Sequence, residues 1–334
     1  MSQTQLASTP VMSSSSQSRL VSADGPNFAV PIADDGYAWW YIDASSDCGQ
    51  FGLTLIIMLG CVFSPWYRRA RKQGAADPLN HAAYNLALYA PDKRWWTMTE
   101  RDRSAVAREA HRLAIGPSEA RWESGTLHIE IKEITAPWRR PVSGQIRLTP
   151  PPLRTQAWQI DAQGTHRWTP IAPRAKIEVV FEQPRLNWQG HAYFDGNEGD
   201  APLEQDFRSW EWTRGHDGED SVIFYDVQWR HGGSRALALR IPTEGAMQAL
   251  DTPPLQRLRS TPWGIARHAH CDQHQTAYVL RTLEDGPFYA RSLMKTCINS
   301  EPLQVWHESV SLKRFQSRWV QALLPVRLPR VTSR

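Results

Sequence analysis

Cysteine is scarce and unpatterned in this chain. Cys48, Cys61, Cys271 and Cys297 lie scattered through 334 residues. No CxxC pair and no zinc-ligand spacing occurs, which excludes a thioredoxin-like redox centre, a zinc finger and a disulfide framework read from spacing. The four read as free thiols in a reducing compartment. Long apolar runs are missing too. The most apolar stretch, Phe51 to Phe63 (FGLTLIIMLGCVF), has 13 residues, short of the ~20 that span a bilayer as a helix. It reads as a buried strand ending at an edge. The aromatic and basic cluster Trp66 to Lys72 follows it and would suit a rim lying at lipid headgroup level. Charge of one sign is weak: a formal net of +4 gives no nucleic-acid footprint. GxGxxG, GxxxxGK[ST], GxSxG and HExxH are all absent, so dinucleotide, P-loop, α/β-hydrolase and zincin chemistry lack support. Residues 1–23 are rich in Ser, Gln and Thr without a basic start and apolar core. They do not resemble a secretory signal and are expected to form a disordered tail.

Tryptophan is the abundant residue, 16 against 9 Phe and 9 Tyr. Indole offers a large flat apolar area with one donor, which suits a wide apolar cavity, a membrane interface or simply a β-core. Strand patterns recur along the chain. Leu127, Ile129 and Ile131 alternate with polar neighbours, the clearest half-buried strand. Gly36–Asp43, Tyr84–Tyr89, Arg94–Thr99, 145–148, 157–161, 177–181, 221–229, 236–241, 276–282, 288–295 and 302–312 read alike. Helix formers make a short helix possible over Asp102–Leu113, and the proline-rich stretches 150–152 and 170–173 read as turn-rich joints. Many short strands argue for closed antiparallel barrels or sandwiches. The expected architecture is mainly β, with two tandem antiparallel barrels: 24–203, 204–328, and a short tail over 329–334.

The most informative stretch is Asn187 to Arg214. His191, Tyr193 and Asp195 fall at every second position, as do Trp210 and Trp212. Side chains two apart share one face of a strand. His166 and Trp168 repeat that spacing upstream. If the two strands are neighbours, a carboxylate, a phenol, imidazoles and an indole converge. Such a set suits acid chemistry on an apolar molecule. Burial raises a carboxyl group toward its protonated form, and aromatic faces stabilise a carbocation made by protonating an alkene. The bland alternative for Asp195 is a turn-capping Asx bond ahead of Gly196 and Asn197. His268, His270, Cys271, Asp272 and His274 offer a weak metal candidate, and the expectation is no metal.

The blocks DGYAWWYIDASSD, FGLTLIIMLGCVFSPWY, HAAYNLALYAP, WTMTERD, LHIEIKEITAPW, GHAYFDGNEGDAPLEQDFRSWEW and FYDV give the chain a further identity. From Asp24 to about Leu324 it resembles the carotenoid 1,2-hydratases, or hydroxyneurosporene synthases, of phototrophic bacteria. The resemblance implies two lipocalin-like β-barrels. It implies hydration of the C1–C2 double bond of acyclic carotenoids such as neurosporene or lycopene to a tertiary alcohol, without a redox cofactor. The family's H-x-W and Y-x-D pairs fall on His166 and Trp168 and on Tyr193 and Asp195, with no departure. By analogy Asp195 is the proton donor, His166 and Tyr193 position water or the carboxyl group, and Trp168 shields the cation. His191, Trp210, Trp212, Tyr225 and Trp40 are expected to bind substrate. The implied partners are an acyclic carotenoid, a membrane surface and other enzymes of the carotenoid pathway, with no nucleic acid. The implied location is cytoplasmic and peripheral to the inner or photosynthetic membrane. A non-catalytic carotenoid carrier and a polyene cyclase or isomerase remain open on the same scaffold.

Overall fold

The structure is a computed structural model and describes residues 15–332. The chain divides into two compact units, residues 15–203 with 321–332, and residues 204–320. In the N-terminal unit the main elements are β1 (Tyr37–Ser46), β2 (Gly52–Leu59), α1 (Pro65–Arg71), β3 (Ala82–Tyr89), β4 (Thr126–Ile134), β5 (Pro141–Thr149), β6 (His166–Gln183) and β7 (Leu186–Gly199). They form one antiparallel sheet in the order β3-β2-β1-β7-β6-β5-β4, continued past β4 by the short strands Ser118–Glu123, Arg112–Ile115 and Val106–Glu109. The sheet curls into a half-barrel. Tyr84 Oη of β3 donates to the Leu113 carbonyl at 2.8 Å, and Thr97 Oγ1 donates to Ile134 O at 3.0 Å. A buried Arg101–Glu133 pair adds two bonds of 3.0 and 2.8 Å.

Period-two alternation decides what the curl encloses. Trp40, Ile42 and Ala44 of β1 point inward with Leu53, Leu55 and Ile57 of β2 and Tyr84, Leu86 and Leu88 of β3. Ala192 and Phe194 of β7 and Ile177 and Val179 of β6 join them. Each such aliphatic side chain contributes about 1.5–3 kcal/mol when fully buried, so this inner face holds the half-barrel together.

The far ends of β4 to β6 alternate buried and exposed residues, as a sheet with one wet face should. β1 and the second half of β7 are buried on both faces. Phe51–Phe63, expected to end at a sheet edge, instead supplies β2, which lies between β1 and β3 inside the sheet.

Four expectations change. Residues 170–173 continue β6, with register shifts against β7 between Thr169 and Ala172 and between Ala172 and Ala175. Pro170 and Pro173 have no N–H for the ladder, so the strand passes them as bulges. Asp102–Leu113 is no helix. It is a single turn capped by Asp102, followed by the hairpin of Val106–Glu109 and Arg112–Ile115, where sheet pairing overrides the helix propensity of Ala, Arg and Glu. Residues 15–23 are ordered: Ser15–Gln17 pairs with Gln156–Gln159, and Leu20 is buried in the core. The remainder of the expected tail, residues 1–14, lies outside the described residues. At the other end, Arg330–Val331 forms a parallel strand beside Glu100–Arg101, where the Arg330 guanidinium meets the buried Glu100.

The C-terminal unit contains β8 (Phe207–Asp217), β9 (Asp220–Trp229), β10 (Ser234–Ile241), β11 (Tyr278–Asp285), β12 (Tyr289–Ile298) and β13 (Glu301–Ser311) in the order β10-β9-β8-β13-β12-β11. Its apolar core gathers Val222, Phe224, Ala238, Met294, Leu303 and Val305. A helix unforeseen in the sequence, α2 (Arg318–Arg327), follows.

Candidate active site

Tyr193 and Asp195 lie on β7 opposite Asp43 and Tyr41 of β1, and His166 and Trp168 lie on β6 opposite Gly199 and Asn197. Since the inward side chains of β7 are Ala192 and Phe194, these residues all share the other face of the sheet. They are nevertheless buried: His166, Trp168 and Tyr193 are fully inaccessible and Asp195 nearly so. The constellation therefore lies behind the core, on the reverse of the sheet.

The centre is one carboxylate oxygen. Asp195 Oδ2 accepts from Trp168 Nε1 at 2.8 Å and from Tyr193 Oη at 2.8 Å. Tyr193 reaches it along its own strand. Trp168 reaches it diagonally, because its direct neighbour is Asn197, two residues beyond Asp195. Diagonal neighbours on a sheet are within range of an aromatic side chain. The Asx-turn alternative for Asp195 does not apply, since Asp195 lies inside β7, paired with Tyr41 of β1, and not in a turn.

His166 is fixed from two sides that the sequence did not reveal. Its Nδ1 hydrogen-bonds Tyr37 Oη at 3.0 Å, with the two rings stacked at 5.8 Å. Its backbone N–H donates to Asp161 Oδ1 at 2.9 Å, while Asp161 Oδ2 accepts from Gln163 N and Thr165 N. Asp161 thus folds the loop that delivers His166. A Cβ at position 199 would come within 2.4 Å of His166 Nδ1 and 2.5 Å of the Tyr37 ring, so this close approach requires glycine. Tyr37 also stacks on Trp39 at 4.8 Å, and Tyr41 meets Tyr193 edge-on at 6.3 Å. Aromatic rings and a second buried carboxylate, Asp43, therefore surround Asp195 on the same face. The acidic residue two places after Tyr41 was the available sequence signal for Asp43.

Of the other expected residues, Trp40 and His191 lie outside this cluster. Trp40 points into the core, packed edge-on against Phe28 at 4.7 Å with its indole N–H donating to Leu20 O; the β1 alternation that brings Tyr41 to the site turns Trp40 away. His191 shares the parity of Tyr193 but is exposed, opposite Ser45 and Lys176. The reverse face becomes covered only beyond it. Trp210, Trp212 and Tyr225 belong to the C-terminal unit, buried on the face of its sheet opposite the apolar core, with Trp212 directly across from Tyr225.

His268 and His270 of the weak metal candidate bind carboxylates instead. His268 Nδ1 pairs with Glu211 at 2.9 Å, and His270 Nε2 pairs with Asp226 at 3.0 Å while its Nδ1 meets Pro253 O at 2.6 Å. Glu211 and Asp226 are themselves neighbours across β8 and β9. The hydrogen bond that His268 donates to Glu211 raises its pKa, and burial, which lowers that of His270, is outweighed by Asp226, which raises it. Beside them, burial lowers His307 to about 3. Glu211, Asp226 and His268 line a cavity of about 400 Å³ in this unit. Among the described residues no three His, Cys, Asp or Glu side chains converge on a metal position.

The family model for the carotenoid hydratase CrtC matches residues 55–334. An acyclic carotenoid 1,2-hydratase of Thiocapsa roseopersicina is 46% identical over 310 residues, covering 92% of this chain and 76% of that protein. The same enzyme from Rubrivivax gelatinosus is 42% identical over 308 residues (91% and 76%), and that from Cereibacter sphaeroides is 36% identical over 277 (83% and 98%). Among solved structures, a putative AttH from Nitrosomonas europaea aligns with TM-score 0.56 at 12% identity, covering 82% of this chain and 92% of that one. CghA with Sch210972 aligns with TM-score 0.53 at 10% identity (88% and 94%). These two likenesses are of fold alone.

Proposed function

The chain belongs to the carotenoid hydratase family CrtC, it is a hydro-lyase acting on acyclic carotenoids, and we propose that Asp195 delivers the proton that starts the hydration. The observation that carries this reading is the double hydrogen bond to Asp195 Oδ2 in a buried setting. An oxygen that already accepts two donors is not the one that holds a proton, so the transferable proton belongs on Oδ1. Donors aimed at Oδ2 stabilise the negative charge that grows on the carboxyl group as the proton leaves.

Protonation at C2 of the end-group alkene breaks the π bond and leaves a tertiary cation at C1. The faces of Trp168, Tyr193 and Tyr41 can stabilise it by cation–π attraction. Water attacks C1 through oxygen and gives up a proton. With Nδ1–H donating to Tyr37 Oη, His166 presents the Nε2 lone pair to that water as general base. Return of the proton to Asp195 closes the cycle, and the net change is addition of one water. The scheme uses an acid, a base and aromatic faces only.

We read the two units as tandem lipocalin-like barrels divided at Glu204. The substrate is too apolar to cross water, so the enzyme is expected to meet it at a membrane, with the basic segment Trp66–Lys72 near the headgroups. Among the described residues no helix is long and apolar enough to cross one. The test is incubation of the purified protein with lycopene or neurosporene in detergent micelles beside Asp195→Asn. A product heavier by one water, present for wild type and missing for the variant, supports the assignment. Equal activity places the acid elsewhere. Pigment binding without turnover by wild type points to a carrier, and a product of unchanged mass to a cyclase or isomerase.

A further inference from the structure

Helix α2 carries apolar residues beyond those the fold buries. Val320, Leu324 and the following Leu328 recur at every fourth position and turn inward, with Val320 and Leu328 buried. That stripe suffices to dock a helix. Trp319, Leu323 and Val326 form a second stripe at i, i+4 and i+7, of which Trp319 already stacks on Trp263 at 6.1 Å. The stripe is exposed, at 45%, 44% and 60%, and Val331 just beyond is 55% exposed. The whole stretch from Arg318 to Val331 contains three arginines and no acidic residue.

Helix α1 is tied to the residue after α2, with the Trp66 indole N–H donating to the Leu328 carbonyl at 3.1 Å. Ser64 caps α1 by accepting from the Trp66 and Tyr67 amides, and Pro65 opens it, a strong start signal for so short a helix. Tyr67 then anchors it to Gly36 O at 2.7 Å. The side away from that anchor presents Arg69 and Lys72 to solvent, again without an acidic residue in the segment. Arg327 at the end of α2 lies over the Trp96 ring at 4.6 Å, so its charge stays at the same margin.

We propose that the outward stripe Leu323, Val326 and Val331, together with Arg69 and Lys72, is a docking surface for a bilayer containing anionic lipid. The aliphatic residues enter the acyl boundary and the cations hold the headgroups. Apolar side chains exposed in segments whose own charges are all positive match such an interface in both polarity and charge. This rests on the hydratase reading, since it supplies the reason for an apolar substrate to be collected from lipid.

The test is vesicle flotation with the full chain, using phosphatidylcholine alone and an equimolar mixture with phosphatidylglycerol. Wild type should float with the mixed vesicles and much less with the neutral ones. Arg69→Ser with Lys72→Ser should weaken that binding about fivefold per charge removed. Leu323→Ser with Val326→Ser and Val331→Ser should weaken binding to both vesicle types by about tenfold or more. Both variants should keep wild-type turnover in detergent micelles, which separates failure of the surface from failure of the enzyme assignment. Unchanged flotation of the triple-serine variant overturns the proposal. So does a wild-type dimer in solution that the same substitutions dissociate, because the stripe would then serve a second copy of the chain.

Discussion

If Trp168 and Tyr193 act through one oxygen of Asp195, their removal should be coupled. Each donates to Oδ2 at 2.8 Å, and a buried hydrogen bond to a charged group contributes roughly 1.5–3 kcal/mol. The carboxyl group gains that charge only as its proton departs, so the benefit falls on the transition state. Tyr193→Phe and Trp168→Phe should each lower kcat by roughly 10- to 150-fold, with little change in KM. The assay is formation of the hydrated product from micellar lycopene, measured in a double-mutant cycle with Asp195→Asn. In the Asp195→Asn background, whose own residual rate is far lower, either phenylalanine substitution should cost almost nothing further. Full additivity would refute the reasoning, because it would mean that the two donors help catalysis by a route that bypasses Asp195.

Other consequences are as direct. Gly199→Ala should displace His166 and Tyr37 and lower kcat while the thermal midpoint drops only modestly; activity equal to wild type would show that this close approach is not needed. Asp161→Ala should loosen the loop over Asp161–His166 and depress kcat, with circular dichroism unchanged. In the C-terminal unit, two histidines should give opposite pH signatures. The folded pKa of His307 is lowered to about 3, so the stability of wild type relative to His307→Gln is present above about pH 6.5 and declines below it by about 1.4 kcal/mol per pH unit. The folded pKa of His268 is raised by its bond to Glu211, so the advantage of wild type over His268→Gln is full below that same pH and fades as pH rises through the folded value. Chemical denaturation between pH 5 and about 8 reads both, and parallel trends would reject the pairing.

Much of the candidate site was legible because strands write their geometry with period two. The spacing of Tyr193 and Asp195, and of His166 and Trp168, placed each pair on one face, and β6 and β7 are indeed neighbours. Which face was not legible. Both faces of β1 and of the end of β7 are buried, so Trp40 and Tyr41 look equally suited to a site until the core is seen to claim one of them. Tyr37 and Asp161 escaped notice because their roles arise from contact: Tyr37 lies 129 positions from His166, and Asp161 acts on backbone amides that any sequence would have. The prolines of β6 misled for a related reason. Pro170 and Pro173 signal turns in isolation, and only the register with β7 shows that bulges absorb them. The helices α1 and α2 were hidden by their apolar and basic residues, which carry no clean 3.6-residue alternation with acids.

The reverse-face placement of the constellation ties the spelling of β7 to the fold itself. Phe194 belongs to the core and Asp195 to the hydrogen-bonded cluster on the reverse face, one pleat apart. A slip of one residue in β7 against β1 would drive the carboxylate into the aliphatic interior and turn Phe194 out toward Tyr41. Burying a carboxyl group stripped of its hydrogen-bond donors costs roughly 1–3 kcal/mol, a sizeable share of what holds a domain together. Misaligned chains are therefore disfavoured by the same side chain that we propose as the proton donor, and the strand proofreads its own alignment as it pairs. A single inserted residue between His191 and Tyr193 should abolish both folding and turnover, whereas an inserted pair leaves the parity of Tyr193 and Asp195 intact.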